Sequence, residues 1–290
     1  MEKWDGKTKG SLWGYKFFIF IIRTFGIRVS YFFCYFVSFY YILFAKTQKE
    51  ALIQFYTIGF GHTRKEAKKL AFTNFYNFGQ TLIDRVAMLT NKQSKFTHTF
   101  NNEKVLRELN DNKKGGILIS GHVGNWENAG NLIHDRITSK INIVMLDAEV
   151  EKVKSFMEMK TGGSNYNIIP IKDDMSHLIL IHRALKRCEF VALHADRVSP
   201  GSKNIELDFL NSKAEFPIGP FILAQKFKAP ITFVYAAKAN KFHYDLYATD
   251  PLENVSSEME VAEAYVQQLE KMVTKYPTQW FNFYKYYADK

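Results

Sequence analysis

Short apolar runs alternate with segments of helical periodicity from residue 115 onward, and this alternation constrains the fold more than any other feature of the chain. The apolar runs predict strands over residues 116–120, 141–146, 167–171, 190–194, 205–210, 231–237 and 242–247. Helical spacing predicts helices over residues 63–89, 126–133, 149–160, 175–186, 219–227 and 258–275, the first opening on a Thr63/Glu66 capping box. The pattern predicts an α/β fold with a single, mostly parallel sheet flanked by helices.

Phenylalanine and tyrosine crowd the first 60 residues. Residues 29–45 contain no charged side chain, and a stretch of 17 residues is at the short end of the roughly 17–25 needed to cross hydrocarbon. Lysines and arginines on the N-terminal side suit an anionic cytoplasmic leaflet. The sequence therefore predicts an N-terminal aromatic, membrane-associated helical segment over residues 1–50 and one catalytic domain over 51–290. A buried amphipathic hairpin of the core is the alternative for the N-terminal segment.

The charge balance favours an anionic partner. With 39 Lys and Arg against 29 Asp and Glu, the net charge is +10, which suits a membrane surface, a nucleic acid or an acidic carrier protein. Nucleic acid is the weakest of these, because the positive charge forms no clear basic stripe. Cys34 and Cys188 make no disulfide framework, so a reduced cytoplasmic setting is expected. No small-residue cleavage site follows the apolar stretch, which argues against a signal peptide.

One histidine stands five residues before a carboxylate, directly after the predicted strand 116–120. These residues are His122 and Glu127. A strand-to-helix turn is where α/β folds place chemistry, and Gly121 and Gly124 permit the chain to bend there. The spacing suggests a proton-transfer pair in which neutral His122 takes a proton from an acceptor while Glu127 holds the ring tautomer. A histidine at a helix end with a purely structural role is the alternative.

Other chemistries have weaker support. Ser120 lacks the first glycine of a G-x-S-x-G elbow, and neither a P-loop nor a complete dinucleotide fingerprint is present. The sequence Asp173-Asp174 followed by His177 suits a helix cap better than a metal ligand set. We therefore expect neither a cofactor nor a metal, and acyl or proton chemistry at His122 without a covalent enzyme intermediate.

The motif His122-Val123-Gly124-Asn125-Trp126-Glu127 resembles the H-x4-[D/E] motif of the lysophospholipid acyltransferase superfamily, and its G-H-x-G-N-W-E form is similar to the bacterial lipid A biosynthesis (late) acyltransferases. Further blocks resemble that family at residues 194–197, 216–224, 229–234 and 277–281. The resemblance implies transfer of an acyl chain from acyl carrier protein or coenzyme A to a lipid acceptor at the cytoplasmic face of the inner membrane. It makes His122 and Glu127 the catalytic dyad and residues 51–290 the acyltransferase domain.

Arg197 and Asp196 follow the predicted strand 190–194, which should end near His122. We predict that they bind substrate, with Arg197 contacting a carrier phosphate or the developing oxyanion. An internal ion pair holding a loop is the alternative. Asn125 and Gly124 complete the predicted substrate-binding set, and Asn125 also shapes the turn.

The acceptor stays open at this stage. The E-G-T-R block of glycerolipid members is absent, since residues 215–220 contain no arginine, and Phe209-Leu210-Asn211 stands where lipid A members have F-F-G. Lipid A-type lipids and the aryl-polyene or amino-acid lipids of a related branch all remain as acceptors. A thioesterase or lipid hydrolase at the same dyad, or a non-catalytic protein that binds anionic membranes, is the alternative function. The pattern assigns no oligomeric state.

Overall fold

A sheet of seven strands forms the centre of the protein. The computed structural model describes residues 12–89, 95–126, 137–146, 166–199 and 201–287. The strands are β1 Thr97–Asn101, β2 Gly116–Ser120, β3 Ile141–Leu146, β4 Tyr166–Ile171, β5 Phe190–His194, β6 Asn204–Phe209, β7 Ser212–Pro217, β8 Ile231–Asn240 and β9 His243–Ala248. The sheet order is β1-β9-β8-β2-β5-β3-β4, with every pair parallel except β8 and β9, while β6 and β7 form a separate antiparallel hairpin.

Helices flank this sheet, so the predicted fold class is confirmed. They are α1 Leu12–Thr24, α2 Ile27–Phe44, α3 Lys46–Gln54, α4 Arg64–Leu89, α5 Glu103–Asp111, α6 Ser176–Lys186, α7 Gly219–Phe227 and α8 Glu258–Lys275. The predicted capping box opens α4, where the backbone N–H of Thr63 donates to Glu66 Oε2 at 2.9 Å and that of Glu66 to Thr63 Oγ1 at 3.4 Å.

Some elements are not in the sequence prediction. Strand β1 is polar and alternates exposed with half-buried positions, because it lies at the edge of the sheet beside β9, so no apolar run marks it. Strand β7 and helix α5 are also absent from the prediction. The predicted helix over 149–160 lies outside the described residues, as does the predicted helix over 126–133 apart from Trp126.

Helix α2 buries one stripe and exposes the rest of its surface. The stripe is spaced four, three and four residues apart, which keeps it on one helical face; its members are Ile27, Tyr31, Cys34 and Ser38. It packs on α4. The other faces carry exposed aromatic side chains, including Phe32, Phe36, Phe39, Tyr40 and Phe44. Among the described residues, Ile27–Phe44 is the one helix that is long and apolar enough to cross a membrane by length and composition.

The register of the central strands brings two loops together. Strand β2 is buried along its whole length and pairs in parallel with β5, so that Ser120 lies opposite His194. The residues that follow these strands leave the same edge of the sheet side by side. His122 comes two residues after Ser120, and Asp196 two residues after His194.

An aromatic core packs behind this edge. The indole ring of Trp280 is 1 % exposed and lies 4.7–5.3 Å from the rings of Phe55, Phe209 and Tyr286, measured between ring centroids. Phe55 begins a π-helical turn, Phe55–Gly59, at the end of α3. This packing fixes the C-terminal segment against the loops that follow β2 and β5.

Candidate active site

His122 lies in a turn that directly follows β2, as the sequence predicts. We call residues 121–126 the His122 turn. The Nδ1 atom of His122 lies 2.7 Å from Oδ1 of Asp196, and the backbone N–H of His122 donates to Oδ2 of the same carboxylate at 2.7 Å. The side chain of His122 is 18 % exposed and that of Asp196 is fully buried. The carboxylate therefore fixes both the ring and the backbone of His122. Nε2 is the ring nitrogen that does not contact Asp196.

A third donor completes the surroundings of Asp196. The indole Nε1–H of Trp280 donates to Oδ2 at 2.9 Å. Burial on its own would raise the pKa of Asp196, but the nearby charge and hydrogen bond of His122 and the charge of Arg197 outweigh it, and the net pKa lies below the ordinary value. Asp196 is therefore an ionised carboxylate that favours a proton on Nδ1 of His122.

Two glycines allow this close approach. A Cβ atom on Gly121 would lie 2.9 Å from the Tyr265 hydroxyl and 3.1 Å from Asp196 Oδ2. Gly124 has a φ of +71°, and a Cβ atom there would lie 2.1 Å from the backbone oxygen of Ala236 on β8. The turn can thus lie against Asp196 and β8 only with these glycines in place.

The underside of the turn is tied to the body of the protein. The backbone N–H groups of Gly124 and Asn125 donate to the backbone oxygens of Gln279 and Ala236 at 2.8 and 2.7 Å. The carbonyl of His122 accepts from the backbone N–H of Phe281 at 2.9 Å. These bonds to the C-terminal segment and to β8 hold the His122 turn in place at the edge of the sheet.

A scan against protein-family models matches residues 6–288 to the bacterial lipid A biosynthesis acyltransferase model. The chain belongs to that family. No match was found among the curated proteins. Membership over nearly the whole chain confirms the resemblance drawn from the motifs and implies an acyltransferase with an acyl donor and a lipid acceptor.

In this acyltransferase, Asp196 occupies the position beside Nδ1 that the sequence predicts for Glu127. Glu127 itself lies outside the described residues. The two oxygens of Asp196 accept from His122 and Trp280 inside the protein, and its predicted role in substrate binding stays a prediction. Gly124 and Asn125, also in the predicted substrate-binding set, make their described contacts with the protein interior.

Arg197 lies next to this group in the chain. Its Nη2 atom donates to the backbone oxygen of Phe281 at 2.9 Å. Phe281 is the residue whose backbone N–H binds the carbonyl of His122, so the guanidinium is held close to the His122 turn. The structure thus brings Arg197 together with His122 and Asp196.

His194 is a site residue that sequence reasoning missed. Its ring centroid lies 4.5 Å from that of His122 and 4.8 Å from that of Trp126. The residue is partly buried, and its Nδ1 atom is fully buried and has no hydrogen-bond partner within the described residues. Burial, with a smaller contribution from His122, lowers the pKa of His194 to about 3, so this ring is neutral at physiological pH. Its position as the last residue of β5 was the available signal.

His122, His194 and Asp196 offer donor atoms within 4.8 Å of one another, and they form the one group of this kind among the described residues. Both oxygens of Asp196 already accept N–H donors, however. This arrangement suits an oriented general base better than a metal ligand set.

Proposed function

We propose that the protein transfers a fatty acyl chain from an acyl thioester, on acyl carrier protein or coenzyme A, to a hydroxyl or amine of a lipid acceptor. The observation that carries this proposal is the contact between His122 Nδ1 and the buried carboxylate of Asp196. With the proton held on Nδ1, Nε2 has the lone pair that a general base needs.

The reaction follows from that tautomer. Nε2 of His122 removes the proton of the acceptor hydroxyl or amine as its oxygen or nitrogen attacks the thioester carbonyl. The tetrahedral intermediate then collapses, the carbon–sulfur bond breaks, and the imidazolium returns the proton to the departing thiolate. Asp196 stabilises the imidazolium in between. No acyl-enzyme forms, because the acceptor is itself the nucleophile.

Arg197 is the proposed electrophilic partner. Its guanidinium is fixed near the His122 turn through Phe281 and offers several N–H donors in a planar fork. In this role it would stabilise the oxyanion of the tetrahedral intermediate or hold a phosphate of the donor. Glu127, which follows on the same motif, stays a proposed catalytic partner of His122.

Membrane association supports a lipid acceptor. The exposed aromatic side chains of α1 and α2 present an apolar surface, which suits residues 1–50 as the anchor segment of an enzyme at the cytoplasmic face of the inner membrane. Residues 51–290 are then the acyltransferase domain. The acceptor would be a lipid A precursor or a related glycolipid, aryl-polyene or amino-acid lipid.

Lipid mass spectrometry of a strain that lacks the protein tests this function. Wild type should restore a lipid species that carries one additional acyl chain, and the mass difference identifies both the chain and the acceptor. His122→Ala should not restore it, whereas His182→Ala, which changes an exposed histidine on α6, should. Circular dichroism and membrane fractionation of each variant control for folding. Restoration by His122→Ala would refute the proposal, and release of free fatty acid without an acylated lipid would indicate a hydrolase instead.

A further inference from the structure

Four buried polar side chains from four different elements meet beside the His122 turn. They are Tyr31 of α2, Asp84 of α4, Lys238 of β8 and Tyr244 of β9, and we call them the Asp84 cluster. The hydroxyls of Tyr31 and Tyr244 donate to the two oxygens of Asp84. The Lys238 Nζ atom donates to Asp84 Oδ2 at 2.7 Å and to the Tyr31 hydroxyl oxygen at 2.8 Å.

The charges of this cluster depend on one another. The side chain of Asp84 is fully buried and that of Lys238 is 8 % exposed. Burial raises the pKa of Asp84 and lowers that of Lys238, while their mutual contact opposes both shifts. A buried pair of this kind is a poor source of stability compared with apolar packing, but it fixes geometry, because each partner must stay in place.

Tyr244 extends the cluster to the His122 turn. Its hydroxyl proton is committed to Asp84, so its oxygen can accept, and the Asn125 Nδ2 atom donates to it at 3.4 Å. The same Nδ2 atom donates to the backbone oxygen of Thr81 at 3.2 Å, one turn before Asp84 on α4. Asn125 is 5 % exposed, so these bonds replace water that cannot reach it.

Lys238 reaches the turn by a separate path. The side chain of Gln279 accepts from the backbone N–H of Lys238 and donates to its carbonyl, both at 2.8 Å. The backbone oxygen of Gln279 in turn accepts from the N–H of Gly124. Asn125 is thus bonded to Tyr244 of the Asp84 cluster, and Gly124 is bonded to Gln279, whose side chain binds the backbone of Lys238.

We propose that Tyr244 is a positioning residue for His122, acting through Asn125 from its fixed place on Asp84. The expected effect on catalysis rests on the proposed function. The placement of Asn125 by Tyr244 does not depend on the reaction. Tyr31 shares the carboxylate but not the contact with Asn125, so it serves as a matched comparison.

Tyr244→Phe and Tyr31→Phe test the assignment in the full chain in detergent. Each removes one hydroxyl from the same carboxylate, so both should lower the unfolding temperature. Only Tyr244→Phe should lower kcat, by at least about tenfold with KM within about twofold of wild type, because it loosens the turn that carries the base. Combining Tyr244→Phe with Asn125→Ala should lower kcat no further than the more damaging single change.

A readout without turnover separates this inference from the proposed function. Diethyl pyrocarbonate modifies accessible imidazole nitrogen, and mass spectrometry of the peptide that contains His122 gives the rate. The rate should change several-fold in Tyr244→Phe and stay at the wild-type value in Tyr31→Phe. Equal rates in the two variants would overturn the positioning role, as would equal losses of kcat or fully multiplicative effects with Asn125→Ala. If the modification rates of His122 differ between the variants as stated but the wild-type protein transfers no acyl chain, the proposed function fails and the positioning role of Tyr244 stands.

Discussion

Trp280 and Asp196, 84 residues apart, share a hydrogen bond of 2.9 Å from the indole Nε1–H to Oδ2. The same oxygen accepts the backbone N–H of His122, while the other faces His122 Nδ1. Because the indole ring is buried in an aromatic core, the carboxylate cannot turn without breaking that bond. The C-terminal segment therefore takes part in orienting His122.

Trp280→Phe should weaken both folding and catalysis. Phenylalanine keeps an aromatic ring in the core but removes one of the N–H groups that solvate a buried, ionised carboxylate, at a cost of about 2 kcal/mol in the free energy of unfolding. We expect kcat to fall while KM changes little. Tyr284→Phe is the control, because it removes a hydroxyl that donates to the backbone oxygen of Asp196 and leaves the carboxylate untouched. Denaturant unfolding and steady-state kinetics measure both effects, and equal kcat values in the two variants would contradict the role of the indole.

Asp196→Asn should reduce kcat by about 10²–10⁴-fold with the fold intact. The amide matches the carboxylate in size, but it presents an N–H group where two oxygens now accept three donors, and it cannot stabilise the imidazolium. Substrate affinity should change little, because these contacts are internal. Initial rates over a range of donor concentrations separate kcat from KM. A large rise in KM with an unchanged kcat would instead support the predicted substrate-binding role of Asp196.

His194 should make the protein less stable in acid. Its pKa of about 3 in the folded state lies below the ordinary value of 6.5, so the unfolded chain binds the additional proton between these values. The stability that comes from the neutral His194 ring is therefore fully present above about pH 6.5. Below that pH, the free energy of unfolding should fall by up to about 1.4 kcal/mol per pH unit. Asp196 has a lowered pKa and loses its contribution only at more acidic pH. Urea unfolding from pH 7 to pH 5 measures the slope, and His194→Gln should make it shallower; an unchanged slope would show that the ring is not buried in its neutral form.

The sequence predicted the central strands and the turn that contains His122, because these features are local. Apolar runs and a glycine-bracketed motif can be recognised within about ten residues. The partner of Nδ1 could not be assigned in this way, since Asp196 meets His122 only through the register of β2 and β5. The hydrogen bond between Trp280 and Asp196 and those within the Asp84 cluster join residues 53–207 positions apart, and no spacing pattern encodes them.

The aromatic surface of α2 should determine membrane binding. Phe32, Phe36 and Phe44 are 61 %, 56 % and 66 % exposed, so replacing them with serine removes no core packing. Each phenylalanine that enters the membrane contributes about 1.5–3 kcal/mol, and the triple variant should therefore move from the membrane to the soluble fraction. Serine at Ile179 and Leu180, exposed apolar positions on α6, is the matched control and should leave the protein membrane-bound. Flotation with anionic vesicles measures binding directly; retention of the α2 variant would place the membrane contact elsewhere.

Gly124→Ala should damage the site more than the same change at Gly61. Both glycines have a φ near +70°, so alanine pays a similar backbone strain of about 1–2 kcal/mol at either position. At Gly61 no atom lies within 4 Å of the new Cβ, whereas at Gly124 the Ala236 oxygen would be 2.1 Å away. The His122 turn must then move off β8, which breaks the bonds of Gly124 and Asn125 to Gln279 and Ala236. We expect Gly61→Ala to retain activity with a modest loss of stability and Gly124→Ala to lose most of its kcat. Thermal unfolding and acyl transfer assayed on both proteins decide the matter, since equal behaviour would mean that the turn is not held against β8.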